Sequence, residues 1–214
     1  MSIFYFKTRL NLVEMLGIRV SNVPDLLEQI RQVPGSSIYH HTHRFLQQHN
    51  YLCPEPPNDF AFWISNTLRL DDLGEQLASV DTIKFVRINN LRDAFIVIIE
   101  KYLQRKTDKL VHCQEGEEFH FMSCRTFVFT TDHQAADTAE FIRALRVISI
   151  NSLYYHIFES RLRLGKVGND FSLWFESNGQ KKLADAIAKL DPYTITLEGL
   201  RKKIIKSVEK YAEN

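Results

Sequence analysis

Asn58-Asp59-Phe60-Ala61-Phe62-Trp63 returns, 111 residues later, as Asn169-Asp170-Phe171-Ser172-Leu173-Trp174. The correspondence continues on both sides. Ser37-Ile38-Tyr39-His40-His41 reappears as Ser152-Leu153-Tyr154-Tyr155-His156, and Phe4-Tyr5-Phe6 as Phe119-His120-Phe121, both at an offset of 115. Leu73 to Asp81 is matched by Leu183 to Asp191 at an offset of 110, and Leu91-Arg92 by Leu200-Arg201 at 109. Five blocks keep one order while the offset drifts by only six residues. Chance explains this poorly. The pattern reads as two copies of a unit of about 100 residues, a size that can bury its own core.

On this reading residues 1–104 form the first unit and 118–214 the second. A linker at 105–117, rich in Lys, Asp, Gln and Glu, lies between them. Two copies, unlike the many of a solenoid, suggest a pseudo-twofold pair packed face to face. Each copy is mainly helical. Leu91, Ala94, Phe95, Ile98, Ile99 and Tyr102 recur at helical spacing, as do Leu200, Ile204, Val208 and Tyr211. Pro24 suits a helix start, with Leu26, Leu27, Ile30 and Val33 as its buried stripe. Pro34-Gly35 ends that helix, and Ser36 or Ser37 is expected to cap the next. Asn58 is expected to cap the helix bearing Phe60, Trp63, Ile64 and Thr67, and Asn90 the helix that follows Leu91. The aromatic and β-branched residues at Phe119–Phe121 and Thr126–Thr130 read as strand, with Phe4–Phe6 as their counterpart. A short strand at each unit's start is therefore expected, with Leu10 to Leu16 open to a helical reading.

Tyr39-x-His41, Asn58-Asp59-Phe60-x-x-Trp63 and Leu77-Ala78, echoed by Tyr154-x-His156, Asn169-Asp170-Phe171-x-x-Trp174 and Ile187-Ala188, carry a resemblance. The chain resembles a prokaryotic family known only as a domain of unknown function, number five-seven-five-two. The likeness covers nearly the whole chain and is most specific from Ser37 to Trp63. The second copy departs from it in lacking the Pro-rich segment and in carrying Tyr155 where His40 stands. The resemblance speaks to fold and brings no established activity.

Composition excludes several classes. Among 214 residues, 27 Lys and Arg nearly balance 26 Asp and Glu, so no basic excess marks a nucleic-acid surface. The longest apolar run, about Ala94 to Ile99, is far short of a membrane span. No basic segment precedes an apolar stretch at the start, so no secretory signal is expected. Three cysteines, Cys53, Cys113 and Cys124, with no CxxC, fit a reducing cytoplasm rather than a disulfide framework. No GxGxxG, Walker or GxSxG pattern occurs.

Residues common to both copies serve a shared fold first, whereas a specialised site is sought in residues of one copy. His41 with Asp59, and His156 with Asp170, recur as pairs. A carboxylate that accepts from an imidazole fixes its tautomer, which serves a general base and equally ties a buried helix. His40, His41, His43, Arg44, Gln47 and His49 crowd one helix of the first copy. Tyr39 lies over His43 at helical spacing. His40 and His43 have the spacing to share a metal ion, with Glu55 or Glu159 to complete its shell, but neither HExxH nor ExxH is present. Arg44 and Glu159 stand three residues after His41 and His156 and are expected to pair across the pseudo-dyad. Cys53-Pro54-Glu55-Pro56-Pro57, found in the first copy only, reads either as a stiff surface loop or as the edge of a ligand pocket beside the histidine helix. Arg201, Lys202, Lys203, Lys206 and Lys210 read as a solvated helix face, broken by Glu198 and Glu209.

Together these features read as a cytoplasmic, non-enzymatic binding or scaffolding protein. Its surface for a small anionic ligand or a protein partner is placed between the two repeats, with His40, His41, His43, Arg44, Gln47, Glu55, His156 and Glu159 as ligand-binding candidates. His41–Asp59, His156–Asp170 and Arg44–Glu159 are read as structural polar pairs. No catalytic residue, metal or cofactor is assigned, no nucleic acid or membrane is expected as partner, and a homodimer is compatible with this reading. The alternative is a metal-assisted or His–Asp acid–base hydrolase.

Overall fold

The computed structural model of the chain describes residues 2–44, 58–105, 110–160, 168–190 and 195–212. It is mostly helical, with one two-stranded sheet. Strand β1 (Phe4–Val20) and strand β2 (Phe119–Ala135) each run for 17 residues. Thr131 donates to the Phe6 carbonyl while Arg125 faces Glu14, so one strand's numbering rises as the other's falls and the ribbon is antiparallel. The strands are longer than the short elements expected. Leu10 to Leu16, left open to helix, is strand, because apolar and β-branched residues continue through Leu12, Val13, Ile18 and Val20. Gly17 sits within β1 at a φ of 71°, a conformation that side-chain-bearing residues avoid.

The chain folds into two compact units that do not follow chain order. One consists of Asn11–His49 and Cys53–Arg125, the other of Met1–Leu10 and Thr126–Asn214. We refer to them as the first and second unit.

In the first unit, α1 (Val23–Gln32) is capped by Asn22, whose side chain accepts from the Asp25 N–H at 2.9 Å. Helix α2 (Gly35–Tyr39) passes directly into a π-helical turn, His40–Arg44. The expected Ser36 or Ser37 cap is absent: Pro34 holds the cap position without a side-chain bond, and Ser37 is buried. Helix α3 (Asp59–Asn66) starts at Asn58, which accepts from the Ala61 N–H at 2.8 Å. Helix α4 (Asp71–Ala78) packs closely on α3 at Gly74, where a Cβ would overlap the Ser65 hydroxyl. Helix α5 (Ile88–Arg105) begins two residues before Asn90, which therefore lies inside it and is no cap. The core gathers Leu26, Ile30, Ile38, Phe60, Ile64, Leu91, Phe95 and Ile99 around Phe119 and Phe121 of β2.

In the second unit, α6 (Thr138–Val147) is capped by Asp137 and α7 (Ile150–Tyr154) by Ser149. The latter again runs into a π-helical turn, Tyr155–Glu159. Helix α8 (Asp170–Ser177) starts with a reciprocal capping box between Asn169 and Ser172. Helices α9 (Lys181–Ala188) and α10 (Leu197–Ala212) follow. Here Phe4 and Phe6 of β1 fill the core, their rings 6.0 and 5.5 Å from Phe141, with Phe171 and Trp174 alongside. Leu200, Ile204 and Val208 face inward from α10, whereas Tyr211 is exposed. Each set of helices thus takes its aromatic strand from the other end of the sequence.

Candidate functional site

A π-helical turn inserts one extra residue per turn and rotates the side chains that follow it, a device common where a side chain must be aimed. In the first unit it aims His41, buried at 3% exposure, between a helix start and a strand. Its Nδ1 lies 2.8 Å from Asp59 Oδ2, in the first turn of α3. Its Nε2 accepts the backbone N–H of Met122 in β2 at 2.9 Å. A backbone N–H can only donate, so Nε2 carries the lone pair and Nδ1 carries the proton that goes to Asp59. The carboxylate in turn sits where the helix dipole favours negative charge.

The second unit repeats this arrangement. His156 Nδ1 lies 2.7 Å from Asp170 Oδ2, and its Nε2 accepts the Lys7 N–H of β1 at 2.8 Å. The Lys7 carbonyl also accepts from the Ser152 hydroxyl at 2.7 Å. Two further ties recur. Trp63 donates its indole N–H to the Glu117 carbonyl and Trp174 to that of Ser2, each at 2.8 Å. Arg92 donates to the Arg31 and Val33 carbonyls at the end of α1, and Arg201 to the Leu145 and Ile148 carbonyls at the end of α6. Guanidinium groups there satisfy the orphan carbonyls of a helix C-terminus.

The expected pairs His41–Asp59 and His156–Asp170 are therefore present as ring-nitrogen-to-carboxylate contacts. Tyr39 stacks on His43 as the spacing implied, with ring centroids 5.2 Å apart. His40, His41 and His43 are all buried, and His43 Nδ1 lies 2.9 Å from the Thr42 hydroxyl. Glu159 is met by Arg9 of β1. The Arg44 side chain, Gln47, His49, Glu55 and the Pro-rich segment lie outside the described residues.

Arg9 was not singled out from sequence. Its guanidinium is fully buried, forms an ion pair with Glu159 and lies 4.7 Å from the centre of the Tyr154 ring. Charge did not single it out, because Lys7, Glu14 and Arg19 lie in the same strand. The Lys7 and Met122 amides were equally invisible, because every residue carries the same backbone N–H.

Only one grouping among the described residues has metal-ligand potential: His40, His41 and Asp59, with donor atoms within 4.8 Å of one another. It differs from the His40–His43 pair expected from spacing. The His41 bonds oppose coordination there. A metal on Nδ1 would force the ring proton onto Nε2, against the Met122 N–H, or demand an imidazolate. A shallow groove of about 300 Å³ lies elsewhere, lined by His133, Glu140 and Arg143 among others, and includes none of the candidate residues. Of the cysteines, Cys124 is buried and Cys113 half-buried. Burial, with Glu118 and then Glu117 nearby, pushes the Cys113 thiol up despite an opposing backbone hydrogen bond. Such a thiol is a poor nucleophile at neutral pH.

The fold and these buried ties define a mainly helical protein whose two imidazole–carboxylate pairs anchor a two-stranded ribbon. The chain belongs to the family described as "Family of unknown function (DUF5752)", which it matches over residues 1–209. It is similar to the solved structure of OrfY from Thermoproteus tenax, with 27% identity and a TM-score of 0.82, covering 100% of this chain and 97% of that one. No curated protein matches it. Among the described residues, no helix is long and apolar enough to cross a membrane.

Proposed function

We propose that this chain is a non-enzymatic binding or scaffolding protein, and that its His–Asp pairs are structural ties rather than catalytic dyads. The observation that carries this is the commitment of both nitrogens of His41 and of His156. Each imidazole spends its proton on a carboxylate and its lone pair on a strand amide. A general base needs a lone pair directed at a substrate proton, and here that lone pair holds backbone.

The same bonds recurring in both halves support descent from one copied module, with residues 1–104 and 118–214 as the copied segments and 105–117 between them. The Phe119 end of β2 serves the helices of the first copy, and the Phe4 end of β1 those of the second. Such an exchange suits a module that once paired with an identical partner.

One observation favours the alternative, a metal-assisted hydrolase: the proximity of His40, His41 and Asp59. Elemental analysis of the purified protein separates the two readings. The binding reading expects no stoichiometric transition metal. One equivalent of metal, lost in the His40→Ala variant, would overturn it in favour of the hydrolase. Thermal-shift screening against phosphates and carboxylates then asks whether the ligand class is anionic, because a ligand specific to the folded state raises its midpoint.

A further inference from the structure

Thr126-Phe127-Val128-Phe129-Thr130 reads the same in both directions about Val128. All five residues are exposed in β2, with Phe127, Val128 and Phe129 at 49%, 47% and 50%. The sheet has the order β1-β2 and holds two strands, so among the described residues β1 pairs with one edge of β2 and no strand pairs with the other. An exposed, uncharged edge of aromatic and β-branched residues is what soluble proteins normally blunt with Lys, Pro or a bulge. Nothing of that kind interrupts these five residues.

We propose that this edge of β2 pairs with the same edge of a second copy of the chain, antiparallel about a twofold axis at Val128. The palindrome is what selects a second copy over an unrelated strand. Isologous antiparallel pairing sets each residue opposite its mirror position. Thr126 then faces the second copy's Thr130, Phe127 its Phe129, and Val128 its Val128. Thr–Thr and aromatic–aromatic pairs are among the favourable cross-strand neighbours. The backbone supplies the hydrogen bonds of strand addition and the side chains the register. Three half-exposed large side chains amount to roughly 300 Å² per copy, below the ~800 Å² per partner of a standard interface. The dimer is therefore concentration-dependent.

Sedimentation equilibrium over a concentration series tests this. The wild-type chain is expected to shift from the mass of one chain toward two. Val128→Lys and Val128→Glu each place like charges opposite one another and are expected to weaken the dimer about tenfold or more. Because Val128 is half-exposed, circular dichroism and the thermal midpoint should stay at wild-type values. Mixing the two variants sets Lys against Glu and is expected to restore association. A wild-type chain that stays monomeric at every concentration it tolerates overturns the proposal. So does a Val128→Lys variant that associates like the wild type. A mixture that stays monomeric overturns the register centred on Val128.

Discussion

Met122 of β2 donates its backbone N–H to Nε2 of His41 at 2.9 Å, across 81 residues of sequence. The imidazole thereby joins the carboxylate at the start of α3 to a strand that the chain reaches only after α5. Its role is that of a rigid two-ended connector, neutral and of one tautomer. Lys7 and His156 stand in the same relation in the second unit.

Replacing His41 or His156 with Ala removes the partner of a strand amide and of a carboxylate that is part-buried at Asp59 and more deeply buried at Asp170. Each variant is expected to lose about 1–3 kcal/mol of unfolding free energy in urea titrations, and more where a cavity remains. Asp59→Asn should lose less, because the amide oxygen still accepts from Nδ1–H. His41→Ala with wild-type stability would refute the structural role.

Arg9 and Glu159 form an ion pair with the guanidinium fully buried. Removing one member strands the other charge, so Arg9→Met is expected to cost about 3–5 kcal/mol. Arg9→Met combined with Glu159→Met should recover most of that loss, since two apolar side chains replace two desolvated charges. A double variant no more stable than Arg9→Met would show that the Tyr154 stacking, not the charge pair, dominates.

Arg92 and Arg201 hold the last carbonyls of α1 and α6, but Arg201 does so from a more buried position. Arg201 bonds both carbonyls through Nη1 while Nε and Nη2 hold the Glu198 carboxylate, and a single Lys ammonium cannot serve all of these acceptors. Arg201→Lys is expected to lower the thermal midpoint more than Arg92→Lys. Amide exchange should quicken first at the C-terminal turn of α6.

The Cys113 thiol is pushed up, so the folded state favours its protonated form. The stability this contributes is present below the ordinary thiol value and is lost as pH rises through the folded one. Alkylation of Cys113, followed by peptide mass mapping, should therefore lag that of a free cysteine at pH 8 and catch up only at higher pH. Glu118→Gln removes a repelling carboxylate and should shift the labelling profile toward lower pH.

Helical periodicity at Leu91–Tyr102, the cap at Asn58, and the pairing of each histidine with its aspartate were all legible. These depend on spacing along the chain and on side chains with one evident use. The Asn90 cap and the Ser36 or Ser37 cap fail because α5 already begins at Ile88 and α2 at Gly35, directly after Pro34. Strand length was underestimated because a two-stranded ribbon tolerates exposed Leu10, Leu12 and Met15, which blur the alternation.

By itself, the sequence determined that the Tyr-x-His and Asn-Asp-Phe-x-x-Trp motifs each occur twice, and with them an imidazole and a carboxylate, and that an aromatic triplet, Phe4–Phe6 or Phe119–Phe121, precedes each set. Only the tertiary structure decided which strand amide each imidazole holds and that Arg9 meets Glu159. The reason is physical. A backbone N–H is the same at every residue, so its long-range partner is chosen by packing and not by side-chain identity. Phe4-Tyr5-Phe6 and Phe119-His120-Phe121 share one aromatic pattern, and only the fold shows that the first packs on Phe141 and the second in the core with Phe60.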